Sequence, residues 1–292
     1  VSTLSRLVSV LAALACICSL STPAWSADKS PKRGIAYDIA SPADLGALAQ
    51  GVSWWYNWSP SPHGGLGLQG DVSMHGMDFI PMVWNSDVDD EQVKGFLRAH
   101  PGIRHLLVIN EPNLVDQANM TPQAVAAFWP RLEQIAAETQ VKLVGPAMNW
   151  GTMEQYGDPV VWLDAFYAAY RAQHQGREPQ VDYLAFHWYD YGLASMLDRL
   201  AKYDKPVWVT EFANWHGQND GVQIDTLDKQ KQQMTEMVAL LESRADVYRY
   251  AWFTGRMNPD PHFSSLLDAE GQLTELGWHY ISLPFNQDAS LE

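Results

Sequence analysis

From residue 32 onward one pattern returns eight times: an apolar run rich in β-branched and aromatic residues, a polar ending, then a helical or loop stretch. The runs lie at 34–38, 52–58, 78–85, 106–109, 141–150, 181–189, 206–213 and 248–255. Segments 42–50, 87–99, 121–138, 160–173, 193–203 and 226–243 read as helices between them, and 274–281 follows the eighth run. Start signals support this, such as Thr121 followed by Pro122, or the acids from Asp87 to Glu91. After the second run stands a Gly/Pro/His-rich loop instead. Strict alternation excludes a sandwich, and an open doubly wound sheet would show a Gly-rich phosphate turn after its first strand, which is absent. Eight such units in roughly 250 residues fit a single (β/α)8 TIM barrel of the α/β class. No linker or composition break marks a second domain, so one barrel is expected over residues 32–288.

The polar residues of these units collect where strands end: Asp38, Asn57, Asn85, Asn110, Glu111, Asn149, His187, Glu211 and Arg256. That is the face on which barrels carry their chemistry. Only two strand ends hold a glutamate, Glu111 on the fourth run and Glu211 on the seventh. A lone strand-end carboxylate reads as a solvated turn or a structural ion pair. Two of them facing each other across a barrel mouth are the equipment for cleaving a glycosidic bond, one donating a proton and one ionised. His187 taken alone reads as a hydrogen-bonded core histidine, and Trp208 and Phe166 as core. Tyr56, Trp58, Trp150, Trp188 and Trp215 divide between core and sugar-stacking platforms, and the sequence does not sort them. The acids from Asp87 to Glu91 lack the glycine and terminal glutamate of a calcium loop, and no zinc, P-loop or nucleophile-elbow pattern occurs. No metal or other cofactor is expected.

Net charge is −15, from 19 basic and 34 acidic residues without a basic cluster, which argues against a nucleic-acid partner. The chain holds 13 Trp and 12 Tyr, many beside Asn, Asp or Glu at strand ends, where their faces suit stacking on sugar C–H surfaces. Residues 1–26 read as a secretory signal peptide: Arg6 precedes an apolar run, and small residues at Thr22, Ala24 and Ser26 offer cleavage sites. Both cysteines, Cys16 and Cys18, lie inside it, so the mature chain is expected to lack disulfides and thiols. A secreted protein, extracellular or periplasmic, monomeric and free of the membrane after cleavage, is the resulting expectation.

Asn110-Glu111-Pro112-Asn113 and Thr210-Glu211-Phe212 resemble the retaining glycosidases of clan A. Together with the run 52–58, Gly145-Pro146-Ala147-Met148-Asn149 and Phe186-His187-Trp188-Tyr189, they resemble glycoside hydrolase family 128, also described as the Asl1-like glycosyl hydrolase catalytic domain. The resemblance spans essentially the whole mature chain and implies a metal-free β-1,3-glucanase acting on laminarin-like or curdlan-like β-glucan. It makes Glu111 the acid/base and Glu211 the nucleophile. Asn110 would bond the sugar 2-hydroxyl, Trp252 would floor the −1 subsite, and His187 and Tyr189 would flank the nucleophile. Tyr37, Tyr56, Asn57, Trp84, Asn149 and Trp215 complete the expected substrate-binding set. Another clan A specificity, for mannan or β-1,4-glucan, and a sugar-binding barrel without turnover are the alternatives.

Overall fold

The computed structural model describes residues 29–67, 73–287 and 291, and the expected signal segment with Cys16 and Cys18 lies outside them. The strands are β1 (Arg33–Ala36), β2 (Trp54–Tyr56), β3 (Ser73–Met74), β4 (Met77–Phe79), β5 (Met82–Val83), β6 (His105–Val108), β7 (Lys142–Met148), β8 (Tyr183–Trp188), β9 (Val207–Phe212) and β10 (Val247–Trp252). The helices are α1 (Pro42–Leu48), α2 (Asp90–Ala99), α3 (Pro122–Thr139), α4 (Pro159–Gln173), α5 (Leu193–Leu200), α6 (Leu227–Ser243) and α7 (Glu275–Ser282). Three helices begin with a capping side chain followed by proline: Ser41-Pro42, Thr121-Pro122 and Asp158-Pro159. In each, the cap oxygen accepts a backbone N–H of the first turn, and proline occupies a position whose N–H would have no helical partner.

The strands run in the order β3-β4-β2-β1-β10-β9-β8-β7-β6-β5, parallel throughout except for the short β3–β4 pair. Apart from the short β3 on its edge, the two ends of this order, β4 and β5, are halves of one strand. β4 pairs with β2, β5 pairs with β6, and only Ile80 and Pro81 separate them. Pro81 has no N–H to give the ladder, but its carbonyl accepts from the Leu107 N–H at 2.9 Å. On the other side the Ile80 and Met82 N–H groups reach the Trp55 and Ser59 carbonyls, each at 2.9 Å. Counting β4 and β5 as one strand closes a ring of eight, the expected (β/α)8 barrel. The second unit departs from the repeat: a 3-10 turn at Gly64–Leu66 and the β3 strand stand there, with no α-helix among the described residues.

Side chains alternate across the strands and make two cores. Inside the ring sit Ala36, Trp54, Tyr56, Leu107, Trp208 and Ala251, with others. Between ring and helices lies a larger layer that includes Trp55, Phe166, Trp188, Phe212 and Trp252. Aromatic rings close the floor of the barrel: Trp208 meets Trp54 edge-on at 5.1 Å, and the Arg249 guanidinium lies over both. Trp54 fits because residue 34 is glycine, where a Cβ would lie 2.2 Å from Trp54 Cε2. Trp54 is fully buried and has nowhere to move. Gly34→Ala is therefore expected to destabilise the fold by about 1–3 kcal/mol through overpacking. Thermal unfolding reads this as a lowered midpoint, and an unchanged midpoint would show that the floor can rearrange.

Candidate active site

Two backbone irregularities bring the strand-end glutamates together. Along β9, Trp208 faces into the ring and Val209 faces the helices, so strict alternation would point Glu211 toward the helix layer. The pairing instead jumps: Phe186 opposes Val209, His187 opposes Glu211 and Trp188 opposes Phe212. Thr210 is thus an extra residue, a β-bulge that rotates Glu211 into the mouth. On the fourth run, Ile109 and Glu111 adopt left-handed backbone, at φ 58° and 44°. That conformation is costly for a β-branched residue, of order 1–3 kcal/mol. Neighbouring strands hold it in place. The Ile109 N–H donates to the Val83 carbonyl at 2.7 Å, the Asn110 N–H to Trp84 at 2.9 Å and the Glu111 N–H to Ala147 at 2.8 Å.

One oxygen of each glutamate and His187 Nδ1 all lie within 4.8 Å of one another. His187, fully buried, places Nδ1 2.7 Å from Glu111 Oε1 and 3.3 Å from Glu211 Oε2. Asn149 Nδ2 donates to the same Glu111 oxygen at 2.9 Å. Glu211 is more heavily solvated by protein. Its Oε1 accepts from the Tyr56 hydroxyl at 2.9 Å and Trp58 Nε1 at 2.8 Å, and its Oε2 accepts from the Tyr189 hydroxyl. Burial and the Glu211 charge push both tyrosine hydroxyls well above their ordinary range, so they remain donors. Burial pushes the Glu111 carboxyl up, but the bond and charge of His187 and the Asn149 bond outweigh it and hold it below the ordinary value. Burial pushes His187 down, yet Glu211 and Glu111 together raise it. The three groups also have the spacing of a metal site. Their lone pairs, however, already receive hydrogen bonds from Tyr56, Trp58, Tyr189 and Asn149, donors that a cation would have to displace.

A cleft of about 570 Å³ opens above this pair. Trp58, Trp84, Asn110, Asn149, Tyr189, Trp215 and Phe253 line it with the two glutamates, Leu114 and Gln117. Of the expected binding residues, Tyr56 and His187 stand beneath it in contact with the carboxylates, and Asn110, Trp84, Asn149, Tyr189 and Trp215 border it. Trp215 is braced by Tyr189 at 4.4 Å and by a bond from its Nε1 to Ser264 Oγ.

Three expectations are corrected. Trp252 does not floor the mouth: it is fully buried on the helix side, 5.1 Å from Phe212, with its Nε1 bonded to the Ser264 carbonyl. The next residue, Phe253, faces the cleft instead. Tyr37 packs against Gly255 and accepts from Arg256 Nη1 at 2.7 Å, part of an Arg256–Asp44 ion pair outside the cleft lining. Asn57 donates to Asp38 and to the Ser61 carbonyl and shapes its own loop. All three hold the outward parity of their strands, while Tyr56, Trp58 and Phe253 hold the inward one. Trp58, Phe253, Leu114 and Gln117 are cleft residues outside the expected substrate-binding set. Strand parity counted from Trp54 and Ala251 places Trp58 and Phe253 in the mouth, whereas Leu114 and Gln117 lie on a loop that carries no such signal. Among the remaining tryptophans, Trp188 is core and Trp150 is exposed.

The family model described as "Glycosyl hydrolase catalytic core" matches residues 34–280. A GH128 subgroup II endo-β-1,3-glucanase from Pseudomonas viridiflava has a similar structure, with TM-score 0.87 and 73% identity, covering 88% of this chain and 100% of that one. A GH128 subgroup I endo-β-1,3-glucanase from Amycolatopsis mediterranei, solved with laminaritriose, matches with TM-score 0.65 and 26% identity over 87% of this chain and 99% of that one. Among curated proteins, alkali-sensitive linkage protein 1 of Schizosaccharomyces pombe is 27% identical over 271 residues. That match covers 87% of this chain and 45% of the relative, so the chain spans less than half of that protein's length.

The Glu111–His187 bond sets a pH window for stability. Glu111, lowered by the fold, contributes stability that is present above its unfolded pKa and lost as pH falls through its folded value. His187, raised by the fold, contributes stability that is complete below its unfolded pKa and lost as pH rises through its folded value. Both contributions are present between about pH 4.3 and pH 6.5. His187→Gln should therefore lower the thermal midpoint most near about pH 5.5, by an amount corresponding to roughly 3 kcal/mol. The deficit should shrink toward alkaline pH. A deficit independent of pH would show that His187 acts by packing alone.

Proposed function

The chain belongs to glycoside hydrolase family 128, within the glycosyl hydrolase catalytic core family, and from that membership we propose that it is a retaining, endo-acting β-1,3-glucanase. The observation that carries the mechanism is that an oxygen of one carboxylate lies within 4.8 Å of an oxygen of the other. Retaining glycosidases hold their pair about 5–5.5 Å apart, whereas inverting ones leave room for a water at about 6.5–9.5 Å. Glu211 is the nucleophile: Tyr56, Trp58 and Tyr189 solvate its charge in place of water and aim it at the cleft. It attacks the anomeric carbon as the bond to the leaving oxygen breaks, giving a glycosyl-enzyme.

Glu111 is the acid/base. Its Oε1 is occupied by His187 and Asn149, while its Oε2 has no hydrogen-bond partner among the described residues and is free for the leaving oxygen. The lowered carboxyl and the raised imidazole titrate as one coupled pair across the 2.7 Å contact. A sugar that expels water from the cleft disfavours the charged carboxylate and favours the protonated acid, whose Oε2–H is then donated to the leaving oxygen as the bond breaks. Glu111 then takes a proton from the water that releases the sugar. Asn110 contacts the 2-hydroxyl, and Trp58, Trp84, Trp215 and Phe253 supply flat faces for the sugar rings. Donors solvate both carboxylates directly, and no step requires a cofactor.

β-1,3-Glucan is preferred over mannan or β-1,4-glucan because the Pseudomonas and Amycolatopsis relatives are both endo-β-1,3-glucanases. A single catalytic domain over residues 32–288, exported as an extracellular or periplasmic monomer after removal of residues 1–26, completes the proposal. Glu111→Gln and Glu211→Gln are each expected to lower kcat on laminarin by at least about a thousandfold, with azide partly restoring turnover in Glu211→Gly. Wild-type activity in both Gln variants would end the assignment. Reducing ends released from mannan or cellulose, but not from laminarin, would replace the substrate. If the protein is secreted as proposed, mass spectrometry of the exported form will find its N-terminus after Ala24 or Ser26.

A further inference from the structure

Seven large apolar side chains are exposed among the described residues, and five of them, Val115, Trp150, Tyr191, Val222 and Phe263, lie on loops that follow barrel strands. These loops surround the cleft, and scattered exposure would not favour one face of the barrel. Three of the five, Tyr191, Val222 and Phe263, sit on loop segments tied to the cleft wall through Trp215 and its neighbours. Trp215 in the wall stacks on His262, the neighbour of Phe263, at 5.5 Å. On its other flank is His216, which meets the Tyr191 ring at 5.3 Å, and the Tyr191 hydroxyl donates to the Val222 carbonyl at 2.7 Å.

The strip is fixed in place. His216 Nδ1 and Nε2 each lie 2.9 Å from a carboxylate, of Asp190 and Asp220 respectively, stapling the loop after β8 to the loop after β9. Phe263 has left-handed backbone, at φ 55°, held by Asp260, whose carboxylate accepts the Ser264 and Ser265 N–H groups at 2.8 Å. Left-handed backbone at a bulky residue is a strained arrangement, and here it leaves an aromatic ring exposed to water. Rigid aromatic surfaces suit binding because little side-chain freedom is lost on contact.

We propose that the strip Tyr191–Val222–Phe263 is a second docking surface for β-1,3-glucan, gripping polymer beyond the sugars held in the cleft. The occupant follows from chemistry and continuity. A chain of net charge −15 offers no attraction to polyanions, whereas a neutral polysaccharide presents C–H faces to aromatic rings. Trp215 lines the cleft and stacks on His262, next to Phe263, so a glucan strand that crosses Trp215 is directed toward this strip. The proposal rests on the β-1,3-glucanase reading and extends it from the bond that is cut to the physical form of substrate that is retained.

The test compares the double variant Tyr191→Ala/Phe263→Ala with wild type on soluble laminaripentaose and on insoluble β-1,3-glucan. Retention on the insoluble polymer is measured separately, in a Glu211→Gln background without turnover. Expected are a kcat/KM on laminaripentaose within about twofold of wild type, and retention and hydrolysis of the insoluble glucan lowered about tenfold, as the loss of two aromatic contacts implies. Equal losses on both substrates would place the residues in the cleft or the fold, and no loss on either would leave the strip without a role. Either result overturns the proposal. So would a wild-type dimer in sedimentation that the double variant dissociates, since the strip would then be covered by a second copy. Failure of the wild type to cut either glucan would instead sink the glucanase reading itself.

Discussion

Two carboxylates are held within 4.8 Å of each other in a mouth where both are almost fully buried, and the rest of the site answers to that constraint. At an effective dielectric constant of about 20, two full charges at that distance repel by roughly 3–4 kcal/mol. Water reaches them only from the cleft, because His187, Tyr56 and the barrel floor fill the space beneath. The protein replaces the missing solvent with aimed donors: two tyrosine hydroxyls and an indole on Glu211, an amide on Glu111, and one imidazole N–H facing both. This arrangement also separates the roles. Glu211 accepts from donors on both oxygens, while Glu111 keeps one oxygen free for a leaving group.

The barrel makes such aiming possible because the donors and the two carboxylates are spread over several strands that the ring fixes relative to one another. Tyr56 rides on β2, Asn149 follows β7, His187 sits on β8 and Glu211 on β9. The ring that fixes these strands closes through an interrupted one, where Pro81 surrenders a donor yet its carbonyl still bonds β6. Local backbone irregularity also marks the strand ends that carry the two glutamates. The bulge at Thr210 and the left-handed turns at Ile109 and Glu111 would weaken an ordinary strand, and here they turn the glutamates inward.

Much of this is legible in the sequence. Eight alternating units point to the barrel, and two glutamates at strand ends point to the reactive pair. The second unit, a Gly/Pro/His-rich loop in the sequence, indeed has no α-helix among the described residues. The direction in which side chains face is harder to read. Tyr37, Asn57 and Trp252 suggest themselves for the site because they end strands. Each nonetheless stands one position out of phase with the mouth, and counting by twos from Ala36, Tyr56 or Ala251 shows it. Glu211 is the reverse case. The same count rejects it, because the extra residue at Thr210 is visible only in the pairing with β8. The contacts of His187 with both glutamates are not legible either, since they join residues 76 and 24 positions apart in the chain.

The central claim is that this close carboxylate pair works by double displacement. Proton NMR of the sugar first released from β-1,3-glucan, recorded before mutarotation equilibrates it, tests that claim most directly. Two successive inversions at the anomeric carbon predict that the β-anomer appears first and the α-anomer grows in later. Initial appearance of the α-anomer would mean a single inversion by water, and would contradict the nucleophilic role of Glu211.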